Sequence, residues 1–221
     1  MTVELADNLV QLAALAVCVT LAFVRLTALL GHRDKTVAQT DHIHDWALLL
    51  GSYCCDLLTL CYWVLCLLAF GWMPLRFYVP DLGWMACYLF LLMLMVSCDL
   101  RRAPQPPVRA AWLVPLAVLP QFALYVTHGD WLNNLVHCLV MGAIAFFAVR
   151  GVCSAGCDGR GGFAFSRAFH ASALAYAACE FAVWTTSCFW GTDALTPYIV
   201  ADFAFTLANV VMLACAWQVR P

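Results

Sequence analysis

Seven apolar stretches, each near twenty residues long, constrain this chain more than any other feature. They run at about 8–30, 46–70, 80–98, 110–128, 132–150, 167–190 and 197–217. A helix of ~20 apolar residues crosses the ~30 Å hydrocarbon core of a bilayer. Turn chemistry or charge separates the stretches, as in Gly31-His32-Arg33-Asp34-Lys35, Ala103-Pro104-Gln105-Pro106-Pro107, His128-Gly129-Asp130 and the glycine-rich run from Gly156 to Gly162. Hydrophobic residues make up 65% of the 221 positions and charged residues 11%, so a water-soluble core could not bury the apolar surface. The expectation is an all-α polytopic membrane protein, a single domain over 1–221 built as a seven-helix bundle.

Basic residues give the expected orientation. The first, third and fifth connections and the tail hold Arg33, Lys35, Arg101, Arg102, Arg109, Arg150, Arg160, Arg167 and Arg220. The other side holds only Arg76, with Arg25 inside the first stretch. The positive-inside rule then puts the N-terminus outside and the C-terminus in the cytoplasm of a cell membrane. Trp72, Trp131, Trp190 and Tyr198 are expected at external headgroup level, and Trp46, Trp112 and Trp217 at internal level. The first stretch opens with Glu4 and Asp7 and has no basic residue before Arg25, which argues for a retained helix and against a cleaved signal.

Several function classes find no support. Net charge is −2 and no polybasic run occurs, so nucleic acid is not an expected partner. The patterns GxxxxGK[ST], GxSxG and HExxH are absent. No enzyme activity is expected; an intramembrane hydrolase is the enzyme class left as an alternative. Thirteen cysteines are present, and most lie in apolar runs, where a thiol packs as a small hydrophobe. Cys153 with Cys157, and His42 with His44 between Asp41 and Asp45, are weak metal patterns. A retinal Schiff base needs a lysine in helix seven, and the sole lysine is Lys35. His137 and His170 belong at different depths, which disfavours a shared haem. No cofactor and no metal are expected.

Polar residues inside the spans mark the candidate site, because an ionisable group at the centre of a helix costs ~2.5–3.5 kcal/mol on insertion scales. Helix six carries Ser172, Tyr176, Glu180, Trp184 and Ser187 on one face, opposite a small-residue face of Ala171, Ala175, Ala178 and Ala182 suited to close helix contact. Helix seven carries Tyr198, Asp202, Thr206 and Asn209; helix two carries Ser52, Asp56, Thr59 and Trp63. Helix five offers Asn133, Asn134 and His137, and helix three opens with Asp81, Trp84 and Tyr88. Glu180, Asp202, His137, Asp81, Trp184, Tyr88 and Asp56 are therefore the expected ligand-binding set, lining one cavity open to the outside. Helices one and four, without such carboxylates, are expected to face lipid.

Three resemblances bear on function. The run from Asp81 to Phe90, with its Asp-x-x-x-x-x-x-Tyr start, resembles a helix of bacterial seven-span sensor modules that precede histidine kinase or diguanylate cyclase domains. Cys55-Asp56-Leu57-Leu58, and Trp112 with Pro120, resemble rhodopsin-like receptors, although the Cys-Trp-x-Pro and Asn-Pro-x-x-Tyr motifs are absent. Pro120-Gln121 is similar to the Pro-Gln motif of seven-span sugar and amino-acid carriers, and it occurs once. The first resemblance implies a sensor of a small ligand or membrane condition. With no output domain in the sequence, its signal would pass to a separate partner protein. A small-solute or proton-coupled transporter is the alternative.

Overall fold

The computed structural model describes residues 2–31, 36–71, 79–102, 108–128, 131–154, 161–192 and 195–220. Among these are seven α-helices, two short 3-10 turns and no strand. The helices are α1 (Val3–Leu30), α2 (Val37–Phe70), α3 (Val79–Arg101), α4 (Leu113–Tyr125), α5 (Trp131–Ser154), α6 (Arg167–Ser187) and α7 (Pro197–Trp217). The 3-10 turn Arg109–Trp112 runs directly into α4, and a second, Phe163–Phe165, precedes α6.

Local chemistry sets the helix starts. Thr2 caps α1 by accepting from the Leu5 amide, and Ser166 caps α6 by accepting from Phe169. Thr36 and Gln39 form a reciprocal capping box, so α2 begins nine residues before the expected span. Its 34 residues extend about 51 Å, well beyond the ~30 Å of a hydrocarbon core. Gly71 ends α2 in the left-handed region at φ 71°, where a side chain would be strained.

Five helices, α1, α2, α3, α5 and α7, are long and apolar enough to cross a membrane. The other two fall short for different reasons. α6 has the length, at 21 residues, but carries Arg167 and His170 in its first turn and Glu180 further along. α4 is apolar but only 13 residues long, with Pro120 inside it. Its 3-10 turn sets Trp112 against Phe146 of α5, and His128, just past α4, meets Phe189.

The helices close a ring. α1 packs on α2, α2 on α3, α3 on α5, α5 on α6, α6 on α7, and α7 back on α1. α4 lies outside, against α5 and α6, with Leu113, Leu116 and Leu119 more than 60% exposed. Helix one is the most exposed of the five long apolar helices, in line with its expected exposure to lipid, but it has one inward face. Its polar residues sit at 4, 7, 8 and 11, one helical face, and that face turns inward to bury Asp7, Asn8 and Gln11.

Hydrogen bonds stitch the ring across its interior. Ser52 Oγ donates to the Cys87 carbonyl at 3.0 Å, and Tyr53 Oη to the Asn209 carbonyl at 2.9 Å. The alanine face of α6 does not serve the expected close contact within the chain. Ala171, Ala175, Ala178 and Ala182 are exposed, and the alanines buried instead are Ala173 and Ala177. The cause is Glu180: its face must turn inward, which turns the opposite face out.

Two more expectations are settled by burial. Trp46 is fully buried among His42, Phe163 and Trp217, so it is a core residue and not a headgroup anchor. The twelve cysteines among the described residues are all free, and only Cys153 is exposed. Arg33, Lys35, Trp72, Arg76, Cys157 and Arg160 lie outside the described residues.

Candidate functional site

One end of the ring encloses a cavity of about 200 Å³. Its acidic lining is Glu4, Asp7, Asp56, Glu180 and Asp202, contributed by α1, α2, α6 and α7. Its aromatic lining is Trp63, Trp84, Tyr88, Trp184, Tyr198 and Phe205. No lysine, arginine or histidine is among the described residues that line it.

Each carboxylate has its own arrangement. Glu180, 3% exposed, accepts from Tyr88 Oη at 2.6 Å, a short contact between α6 and α3. Asp7 accepts from Gln11 Nε2 at 3.2 Å one turn further along α1. Asp202 of α7 lines the same space as Asp7. Glu4 accepts from Thr192 Oγ1 at 2.9 Å and ties the start of α1 to the segment after α6. Asp56, 4% exposed, faces the Trp84 indole, and its Oδ2 has no hydrogen-bond partner.

Five of the seven expected site residues therefore come together: Glu180, Asp202, Trp184, Tyr88 and Asp56. His137 does not reach the cavity. It lies behind Trp184, stacked on that indole at 3.8 Å between ring centroids, fully buried. Tyr88, Tyr125 and Phe181 surround its ring, and neither ring nitrogen has a hydrogen-bond partner. Asp81 is half-buried in the first turn of α3, outside the cavity lining. Trp184 is held in place by donating Nε1–H to Asn134 Oδ1 at 2.9 Å, while Asn134 donates to the Tyr125 carbonyl at 2.8 Å. That chain links α6, α5 and α4 behind the wall of the cavity.

Sequence reasoning missed Glu4, Asp7 and Gln11. Their helical spacing was a usable signal, since a polar face within a span predicts an interior contact as well in helix one as in helix six.

The opposite end of the ring is basic. The Arg101 guanidinium binds the fully buried Asp45 carboxylate and approaches Asp41 at 4.0 Å. Asp99 accepts from Arg102 at 2.7 Å and from Arg150 at 3.0 Å. Arg102 Nη1 also contacts His170 Nε2 at 3.1 Å. Of the His-x-His pair, His42 accepts from the Trp46 indole at 3.2 Å, and no metal-binding cluster occurs among the described residues.

Comparison with protein-family models, with curated proteins and with solved structures found no match to this chain. Function is therefore argued from the cavity alone.

Proposed function

We propose that this protein is a seven-span cell-membrane receptor, N-terminus outside and C-terminus cytoplasmic, which takes up a small ligand from the outside and signals through a separate partner. The observation that carries this reading is the cavity: five carboxyl groups and six aromatic rings turned onto one small enclosed space. Ionisable groups at membrane depth are functional by default, because their insertion is costly. The orientation is supported by charge. Arg101, Arg102, Arg150 and Arg220 gather at the end away from the cavity, which the positive-inside rule makes cytoplasmic. Seven crossings are supported by α6, which reaches from His170 beside Arg102 to Glu180 at the cavity, and by α4, which lies along α5 between Phe146 and the His128–Phe189 contact.

A proton-coupled carrier is the second reading, favoured by Asp7, Glu180 and Asp202 lining one space, since neighbouring carboxyl groups can pass a proton on. One experiment separates the two. The purified chain is screened by thermal shift against a library of cationic, anionic and neutral small molecules, and each hit is offered to proteoliposomes. A hit lost in Glu180→Gln and Asp202→Asn, with no uptake, supports the receptor. Uptake lost in the same variants supports the carrier. A library without a single hit defeats both.

A further inference from the structure

The cavity also specifies a class of ligand, on the premise that it is a ligand site. Asp56 projects from the middle of α2 with one carboxyl oxygen, Oδ2, buried and without a donor, although the group lines the open space. Asp7 Oδ1, on the neighbouring α1, is in the same condition. A buried acceptor without a donor is expensive, so an occupant that brings N–H groups is favoured. Coulomb energy selects its charge. A lining of five carboxyl groups, with no basic side chain among the described residues, disfavours an anion and favours a cation. The walls select its shape. Trp63 and Trp84 tilt together with ring centroids 5.5 Å apart, and both line the cavity with Asp56. Indole faces attract cations and accept apolar stems. A cavity of about 200 Å³ suits a small molecule.

We propose that this cavity binds a small organic cation bearing a primary ammonium group, anchored by Asp56 and walled by Trp63 and Trp84. A primary ammonium offers three N–H donors to the unpartnered carboxyl oxygens; a quaternary one offers none.

The test uses the full chain in nanodiscs and follows its melting temperature with phenethylammonium chloride as the probe. Trimethyl(phenethyl)ammonium, 2-phenylethanol, 3-phenylpropionate and sodium chloride at equal ionic strength serve for comparison. Phenethylammonium should raise the melting temperature saturably, and the quaternary compound should need about tenfold more for the same shift. Asp56→Asn should weaken the probe about a hundredfold or more. Trp63→Leu, which leaves the carboxylates in place, should weaken it about tenfold and serves if Asp56→Asn does not fold. An equal shift from sodium chloride, full affinity in Asp56→Asn or in Trp63→Leu, or no shift with phenethylammonium overturns the inference. If 2-phenylethanol or 3-phenylpropionate shifts the protein and the amine does not, the ammonium class is wrong while the receptor reading stands.

Discussion

At the scale of single residues, burial of Glu180 is made tolerable by Tyr88. Both side chains are at most 3% exposed, and the phenol reaches the carboxyl from the neighbouring helix. Tyr88→Phe removes the donor and leaves an acceptor stranded, at a cost of about 1 kcal/mol in the unfolding free energy. Adding Glu180→Leu should recover part of that loss, because no polar group is then left without a partner. Denaturant titration in mixed micelles measures both; an unchanged midpoint for Tyr88→Phe would show that the contact contributes nothing. The sequence made Glu180 legible, because a lone carboxylate in an apolar run has few places to go. It did not make His137 legible. A histidine near the outer end of α5 looked like a cavity residue, and only packing reveals the Trp184 ring standing between. Asp7 was hidden in the opposite way, by lying so near the N-terminus that its charge read as terminal chemistry and not as lining.

At the scale of helices, apolar length gave most of the elements, and α7 begins and ends where its apolar stretch does, at Pro197–Trp217. The starts of α1 and α2 were misjudged, α2 by more, where a capping box outranks hydropathy and extends the helix through His42 and Asp45. Helix contacts show a different limit. α5 and α6 approach so closely at Gly151 that a β-carbon there would overlap the His170 ring. That ring is held on its far side by Arg102 and by the Ala164 carbonyl, so it has no room to retreat. Gly151→Ala should cost about 1–3 kcal/mol by overpacking. Gly142→Ala, on the same helix, meets only a Val118 methyl at 3.3 Å and should stay within about 1 kcal/mol of the parent. Equal melting temperatures for the two variants would refute this account of the α5–α6 contact.

At the scale of the whole molecule, the ring order is what the sequence could not supply. Apolar stretches state how many helices there are, and basic residues state which ends lie together, but neither says that α1 closes the ring while α4 stands outside it. Those placements depend on which faces complement each other across a distance of many residues. The crossing number is testable through accessibility. With seven crossings, an epitope inserted after His128 is reached from outside the cell, and Cys153 reacts with an impermeant maleimide only from the cytoplasmic side. With α4 and α6 lying outside the bilayer, both results reverse. Cys153 suits the purpose, being the exposed cysteine among the described residues.

α7 spans the molecule from the cavity to its far end. Asp202 stands in the acidic lining, and three residues past the last turn the Arg220 carbonyl accepts from the Gly162 amide at 2.7 Å. Gly162 begins the short segment whose Phe163 is wedged, fully buried, against Trp46 and Phe169. A helix is stiff along its axis, so on the receptor reading α7 is expected to act as a push-rod, carrying a displacement at Asp202 to the wedge.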